Sequence, residues 1–317
     1  MTPSPHSLPG VSVVIPTIGR PELARAVESV RRQDYDGPIE IIVVVDKPEG
    51  QIDDGLLTGV DRVLYTGGEK RAGTARNMGI AVAAMPYVAL IDDDDEWRPW
   101  KLANQMPVFR AEGADIVGTQ AVYRNSGTGT ESAPIPTVVK RREQAYAEYL
   151  FRRRRASVGR PVIFGITLVV PTELARKVPW DETLRRHQDW DWVDRMERAG
   201  ASIVQIPDPS AVVWTGSDQS ISSLPDWQSS LQWAETRRGL WEPAVLADFL
   251  AGQVLRYALQ ARSARGVVAS TSAIARTRRF PSLSTLVLGL SGIVPRTLIN
   301  RLMTRGRAVV TEASSVK

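Results

Sequence analysis

The 317-residue chain contains no cysteine and only two histidines, His6 and His187. The first absence excludes disulfide bonds and metal sites built from thiolates. The second argues against a zinc site of histidines, because such sites take three or four protein ligands. A chain without disulfides is typical of a reducing compartment, so we expect a cytoplasmic protein.

Long hydrophobic runs are also missing, since no stretch approaches the ~18–20 apolar residues that a membrane span needs. The first ten residues lack the basic and apolar pattern of a signal peptide, and we expect a flexible tail over residues 1–10. A hydrophobic content of 43% and a charged content of 24% are typical of a globular protein. The chain is long enough for one large domain with an additional region.

Charge is distributed unevenly along the chain, although the net value is +5. Residues 249–317 contain eleven Lys and Arg and a single acid, Glu312, which leaves 29 basic and 34 acidic groups for the first 248 residues. A basic surface over the whole protein is therefore excluded, and we expect no nucleic-acid partner.

Short apolar runs alternate with helical patterns in the first two thirds of the chain, which predicts an α/β fold with a parallel sheet covered by helices on both faces. The predicted strands are Val11–Ile15, Ile39–Val45, Arg62–Tyr65, 87–91, 115–124, 162–170, 203–206 and 211–214, and the predicted helices are 21–32, 73–84, 101–110 and 188–199. After Pro225 only helical patterns remain, so we expect a helical C-terminal region over residues 226–317.

Five consecutive acids, Asp92–Glu96, follow the apolar strand Tyr87–Ile91. They lie at a carboxyl strand end, where the ligands of such sheets bind, and Asp46 ends a neighbouring strand at the same edge. Asp92 and Asp94 are two residues apart and can face one site, where a carboxylate pair suits a divalent cation holding a phosphate-bearing ligand. Taken alone, such a run is more often a solvated acidic loop.

Five segments in a fixed order decide between these interpretations. They are Val13–Thr17, Glu40–Asp46, Ala75–Asn77, Leu90–Asp95 and Gln188–Trp192. Together they resemble the motifs of family 2 glycosyltransferases, over roughly residues 10–225. The resemblance implies a GT-A fold over residues 11–225, which is a Rossmann-like mixed sheet with helices on both faces that binds a nucleotide-diphospho-sugar.

The resemblance also implies which residues bind the donor. Pro16 and Thr17 are expected beside the base and ribose, Asp46 at the N–H of uracil, and Arg76 near the base and diphosphate. The loop that begins Asp46-Lys47-Pro48 departs from the usual acidic and glycine-rich pattern of the family, which bears on the choice of nucleotide.

The acidic run supplies the remaining donor contacts that the resemblance implies. Asp92 is expected near the ribose, and Asp94 is expected to be the ligand of Mg²⁺ or Mn²⁺ on the departing diphosphate. Asp93 is expected among the donor-binding residues. The alternative for this residue is that it only supports its neighbours or caps a turn. Some relatives have a histidine after the last core strands that assists the metal or the diphosphate. Residues 213–220 contain no histidine, so hydroxyl groups or Asp218 would have to take this role.

Asp189 matches the catalytic base of the family, which removes the proton of the acceptor hydroxyl in a single inverting displacement. The alternative for Asp189 is a helix N-cap. Gln188 stands where the family often has glutamate. Trp190 and Trp192 are candidates for a sugar platform, but at least one of them is expected to pack in the core.

We therefore expect a metal-dependent inverting glycosyltransferase that moves a sugar from a nucleotide-sugar donor, UDP-linked by preference, to a glycan or lipid-linked acceptor. Two alternatives stay open: a nucleotidyltransferase-like enzyme that releases pyrophosphate, and a non-catalytic module that binds nucleotide-sugar or carbohydrate.

The C-terminal region leaves further options open. Its helical apolar pattern from Leu283 to Val294, continued by Leu298 and Leu302 and flanked by arginines, predicts peripheral contact with the inner face of a membrane or packing on the chain's own domain or a partner chain. A homo-oligomer is compatible with either. The arginines at 152–155 form either a solvated helix face or a contact to phosphate or acceptor.

Overall fold

A computed structural model describes residues 8–153, 161–216 and 225–294 of the chain. The chain divides into two compact units, one formed by residues 1–150 and 158–219 and the other by residues 151–157 and 220–317. Seven of the ten residues of the expected N-terminal tail, and His6 among them, lie outside the described ranges.

The first unit is built on an eight-stranded mixed sheet with the strand order β3-β2-β1-β4-β7-β6-β8-β5. Strands β1 to β4 pair in parallel, β7 is antiparallel to both β4 and β6, and β5 is antiparallel to β8. The strands are β1 Val11–Thr17, β2 Ile39–Val45, β3 Arg62–Tyr65, β4 Tyr87–Leu90, β5 Glu96–Trp97, β6 Ile116–Asn125, β7 Val169–Pro171 and β8 Ile203–Thr215.

Helices follow most of these strands and bury apolar faces against the sheet. In α1 the buried residues include Leu23, Val27 and Val30, at the spacing of one helical face. In α2 a Cβ atom at Gly79 would overlap Val14 of β1, so this glycine permits a close approach of helix and sheet. The helices are α1 Leu23–Arg31, α2 Ala72–Val82, α3 Lys101–Glu112, α4 Tyr146–Phe151, α5 Thr172–Lys177 and α6 Gln188–Arg198.

Two predictions place strands correctly in part but differ from the structure in extent. The apolar run at 162–170 forms a strand only at Val169–Pro171, and a 3₁₀ turn over Gly165–Thr167 precedes it. The two short strands predicted at 203–206 and 211–214 are one strand, β8, whose register with β6 is irregular near Gly118 and Gln120. Both errors arise because pairing with distant strands, rather than the local pattern, decides where these segments extend.

The second unit is helical in its described part. Helix α8 continues without interruption through a π-helical stretch, Leu250–Leu255, into α9. Its core contains the aromatic rings of Phe151, Trp233, Trp241 and Phe249, whose centroids lie 4.9–6.4 Å apart. The helices are α7 Trp227–Thr236, α8 Pro243–Phe249, α9 Arg256–Gln260, α10 Ala264–Arg276 and α11 Leu283–Leu290.

Two features of the sequence bear on this unit. Over residues 8–153, 161–216 and 225–294, no helix combines the length and the apolar character needed to cross a membrane. Of the four arginines at 152–155, only the first two are described, and Arg152 lies 3.7 Å from the buried carboxylate of Asp248.

Candidate active site

The carboxyl ends of neighbouring parallel strands bring the first predicted site residues to one edge of the sheet. Thr17 ends β1 beside Val45, the last residue of β2, and the backbone N–H of Asp46 donates to the Thr17 carbonyl at 2.8 Å. Strand β4 pairs with β1 on its other side, so Asp92 follows at the same edge. Pro16 and Thr17 are both buried there. This placement agrees with the edge predicted from the sequence.

Asp46 has one carboxylate oxygen engaged and one available. Its Oδ1 accepts hydrogen bonds from the Thr66 hydroxyl and from the backbone N–H of Lys70, the latter at 3.0 Å. No donor from the described residues lies within hydrogen-bonding distance of Oδ2. The side chain is therefore fixed in orientation and can still accept a hydrogen bond from a ligand.

The acidic run, Asp92–Glu96, alternates between exposed and buried carboxylates. The side chains of Asp92 and Asp94 are 40% and 44% exposed, whereas that of Asp93 is 5% exposed and Asp95 is buried. Asp93 accepts from the Thr17 hydroxyl at 2.6 Å and from Arg20 at 2.9 Å. Asp95 accepts from the backbone N–H of Trp214 in β8 at 3.1 Å. Two acids of the run thus hold the segment in place while two face outward.

Two arginines that the motifs did not indicate offset part of this charge. Arg20 Nη1 lies 3.3 Å from the Asp94 carboxylate in addition to its bond with Asp93. Arg25 Nη2 donates to the Asp94 carbonyl at 2.7 Å, and its guanidinium lies 4.2 Å from the ring centroid of Trp214. Arg20 lies in the loop after β1 and Arg25 in helix α1, and neither was predicted from a sequence motif.

Burial and crowding make the acidic run electrostatically unfavourable by itself. Burial raises the pKa of the Asp94 carboxyl, and the charge of Asp92 raises it further against the opposing effect of Arg20. Burial also raises the pKa of Asp93 and of Asp95. A cation at this place would lower the electrostatic cost, because an added positive charge favours the ionised carboxylates.

The donor set of the run fits a cation that is shared with a ligand. Within the described ranges, no group of three or more His, Cys, Asp or Glu side chains could hold a metal ion by protein contacts alone. Mg²⁺ is usually held by one or two carboxylates together with substrate phosphates. The outward carboxylates of Asp92 and Asp94 provide oxygen ligands of that kind.

Arg76 connects the acidic run to the segment that contains the predicted base. Its Nη2 donates to Asp92 Oδ1 at 2.7 Å, and its Nη1 donates to Gln188 Oε1 at 3.2 Å. The guanidinium is buried and lies 4.5 Å from the ring centroid of Trp180. Burial alone would lower its pKa, but the carboxylates of Asp92 and Asp189 raise it above the usual value. Arg76 therefore stays charged between the two acids.

Asp189 lies in the first turn of α6, which begins at Gln188, and it is not the N-cap of that helix. The N-cap position belongs to His187, whose φ of 60° places it in the left-handed region. Asp189 Oδ2 accepts from the backbone N–H of Gly165 at 3.0 Å. Burial raises the pKa of its carboxyl, Arg76 lowers it, and the charge of Asp92 raises it again, with a net increase. Such a carboxylate is a stronger base than an exposed aspartate.

The turn Gly165–Thr167, which holds Asp189, is itself attached to the core. Trp97 Nε1 donates to the Ile166 carbonyl at 2.9 Å, and Gln105 Nε2 donates to the Thr167 carbonyl at 2.8 Å. Beneath it, the buried Lys101 donates to Gln105 Oε1 at 2.8 Å, and burial lowers the pKa of this lysine to about 7. The support of the predicted base thus extends to β5 and α3.

The two tryptophans proposed as a sugar platform have different environments. Trp192 is buried, donates through Nε1 to the Val178 carbonyl at 2.8 Å, and stacks on Trp180 with centroids 4.5 Å apart. Trp190 is half-buried and stacks on His187. Trp192 is therefore a core residue, and only Trp190 remains a candidate for contact with sugar. Asp218, considered as a substitute for a histidine, lies outside the described residues.

Replacing Gly165 by Ala should lower kcat by about 10-fold to 100-fold, because small displacements of a catalytic group have effects of that size. The backbone N–H is retained, but the added Cβ would lie 3.1 Å from Asp189 Oδ1 and must displace the carboxylate. Steady-state kinetics should show an unchanged KM for the donor. Gly127→Ala is the matched control, since Gly127 lies in an exposed loop with a Cβ contact of 3.4 Å. Equal kcat for both variants would contradict the role of Gly165.

The chain is similar to known glycosyltransferases in sequence. Residues 12–167 match the family model of glycosyl transferase family 2. Over 213 residues the chain is 30% identical to the amylovoran biosynthesis glycosyltransferase AmsB of Erwinia amylovora. This alignment covers 63% of the chain and 68% of AmsB. Over 199 residues it is 30% identical to WcaA of Escherichia coli, covering 59% of this chain and 66% of WcaA. The aligned part thus spans about two thirds of each relative.

The fold is similar to that of a solved structure. TarS 1–349 of S. aureus, determined in complex with UDP-GlcNAc, superposes with a TM-score of 0.59 at 15% sequence identity. The superposition covers 89% of this chain and 91% of that one. The GT-A fold that the sequence motifs implied is therefore confirmed.

Proposed function

Because the chain belongs to glycosyl transferase family 2, we propose that it is an inverting, metal-dependent enzyme that transfers a sugar from a UDP-linked donor to a hydroxyl of a glycan or a lipid-linked saccharide. The observation that carries this proposal is the position of Arg76. Its guanidinium bonds Asp92 of the acidic run and Gln188, the neighbour of Asp189. The proposed donor site and the proposed base are thus held beside each other.

The donor base and ribose bind along β1 and β2. Pro16 and Thr17 line the base and ribose, and Asp46 Oδ2 accepts the N–H of uracil while Thr66 and Lys70 hold Oδ1. Cytosine lacks this N–H, and a site built to accept a hydrogen bond from its ligand discriminates against a ligand without the donor. This arrangement supports a uridine nucleotide as the donor.

Asp92 and Asp94 would hold Mg²⁺ or Mn²⁺ at the diphosphate end of the donor. When bound, the cation neutralises charge on the departing diphosphate. Asp92 also contacts the ribose and stays oriented by Arg76. Asp93 and Thr17 bond each other at 2.6 Å, so Asp93 orients a donor-binding residue rather than the donor itself.

Asp189 acts as the general base. Its Oδ2 is held by Gly165, so Oδ1 accepts the proton of the acceptor hydroxyl. The acceptor oxygen forms a bond to the anomeric carbon as the bond from that carbon to the diphosphate oxygen breaks. The proton moves to the carboxylate, and the nucleoside diphosphate leaves. One displacement of this kind inverts the anomeric configuration.

Analysis of the reaction products tests this function against the two alternatives. The donor is first identified from a panel of nucleotide sugars by the rise in Tm in the presence of Mn²⁺. We expect a UDP-sugar to give the largest rise and its turnover to release UDP and a sugar of inverted configuration. Release of pyrophosphate would instead indicate a nucleotidyltransferase. Donor binding without turnover on any glycan or lipid-linked acceptor would indicate a binding module.

A further inference from the structure

Helix α11 and the residues beside it present large apolar side chains to solvent. Phe280, Leu283, Val287, Leu290 and Ile293, called the apolar stripe below, are between 47% and 97% exposed. Leu283, Val287, Leu290 and Ile293 follow one another at intervals of three or four residues, which places them on one face of α11 and of the 3₁₀ turn Ser291–Ile293. Phe280 lies two residues before the N-cap, Ser282. Contiguous exposed patches of this kind mark interaction sites in soluble proteins.

The opposite face of α11 carries small residues and packs unusually close to its neighbour. Thr285 is buried, and a Cβ at Gly289 would lie 2.5 Å from the Ala251 carbonyl oxygen. A Cβ at Gly292 would overlap the Arg256 carbonyl oxygen. Small residues allow helices to approach this closely. An ordinary surface helix buries its large apolar side chains, whereas α11 leaves Leu283, Val287 and Leu290 exposed.

Positive charge lies beside the stripe. The guanidinium-bearing residues Arg278 and Arg279 are exposed, and neither has an acid within ion-pair distance among residues 225–294. From Phe249 to Val294 the sequence has six arginines and no acid. A second copy of the chain that docked through the same stripe would offer these arginines no acid from residues 249–294. An anionic apolar partner suits both features.

We propose that the apolar stripe, with Arg278 and Arg279, docks the enzyme on the surface of an anionic phospholipid bilayer. The apolar side chains enter the boundary of headgroups and acyl chains, and the arginines pair with lipid phosphates. The helix lies in the plane of the membrane and does not cross it. Contact with the bilayer would also place the enzyme beside acceptors carried on lipid.

Co-sedimentation of the full chain with vesicles tests the proposal. We expect binding to equal mixtures of phosphatidylcholine and phosphatidylglycerol, and much less to pure phosphatidylcholine. The triple variant Phe280→Ser, Leu283→Ser, Val287→Ser should bind anionic vesicles about 100-fold more weakly, because it removes three apolar side chains that the bilayer would bury. Replacing Arg278 and Arg279 by Gln should weaken binding by about 10-fold or more.

Val268→Ser in α10 is the matched control, since Val268 is an equally exposed apolar residue of the same unit and lies outside the stripe. It should bind like the wild type. The single change Phe280→Ser, at a side chain 97% exposed, serves if the triple variant does not fold by circular dichroism.

Several results would overturn the proposal. These are absence of vesicle binding by the wild type, unchanged binding by the folded stripe variants, or equal loss of binding in Val268→Ser. A dimer that the stripe variants abolish, without vesicle binding, would show that a second copy occupies the stripe. Binding that begins only after removal of residues 295–317 would show that this segment covers it.

Discussion

The variant Asp189→Asn should transfer sugar about 10³-fold more slowly than the wild type and should bind the donor with unchanged affinity. Asparagine keeps the size of the side chain and can still accept from the Gly165 N–H, but its amide cannot take the acceptor proton. Single-turnover rates with the UDP-sugar and acceptor measure the first effect, and calorimetric titration with donor and Mn²⁺ measures the second.

The control for Asp189→Asn is Asp36→Asn, an exposed aspartate before the amino end of β2, at the edge of the sheet opposite the site. A wild-type rate in Asp189→Asn would refute the assignment of the base. In the wild type, kcat/KM should fall as pH decreases through the raised pKa of Asp189, because protonation removes the base. This acid limb should lie above the value of ~3.9 typical of exposed aspartate.

The variant Asp94→Ala should lose the Mn²⁺ dependence of donor binding. We expect the Kd of the donor with Mn²⁺ to increase about 100-fold, since a carboxylate that holds the cation contributes several kcal/mol through it. Without metal, the variant should bind the donor as weakly as the wild type does. The side chain is 44% exposed and lies 3.3 Å from Arg20 Nη1, so its removal should leave the fold intact.

Titrations of donor with and without Mn²⁺, followed by the rise in Tm, measure this effect. Asp36→Ala is the control, and it should retain the full dependence on Mn²⁺. The same affinity for wild type and Asp94→Ala, with and without metal, would refute the role of Asp94. A loss of affinity that is equal in both conditions would instead indicate a direct contact of Asp94 with the donor.

The central strands β1 and β2 could be predicted from the sequence because they are buried on both faces. Such strands appear as continuous apolar runs, and β2 lies where its run predicted it. The edge strand β3, which is only partly buried, also lies where it was predicted. The residues at 162–168 are also apolar, yet they bury their side chains around the turn Gly165–Thr167. An apolar run indicates burial, but only its partners decide whether it is a strand.

The candidate site, too, could be predicted from the sequence only in part. The positions of Asp46 and Asp92 follow from strand ends. The acids alternate between exposed and buried as predicted, but they do so in a turn, closed by the Asp95 N–H and the Asp92 carbonyl at 3.1 Å, and not in the extended segment that the prediction assumed. The partners Gly165 and Arg20 were not predicted. Each is far in sequence from the acid it contacts, and neither lies in a motif with a recognisable spacing.

The two ends of the acidic run are attached to strands that are far apart in the sequence, which affects when the site can form during folding. Its amino end follows β4 in the middle of the sheet, whereas its carboxyl end is β5, which pairs with β8 far later in the chain. The Asp95 carboxylate accepts a hydrogen bond from the backbone N–H of Trp214, which also belongs to β8. Pairings of such long range form late, because the entropy of closing the loop opposes them. A nascent chain that has formed β1 to β4 would therefore already contain Thr17, Asp46 and the partners of Asp92 and Asp93, whereas Asp95 and β5 would still lack theirs. The donor site that we propose would thus be completed only with the last strands, and a bound donor would stabilise the completed unit by mass action.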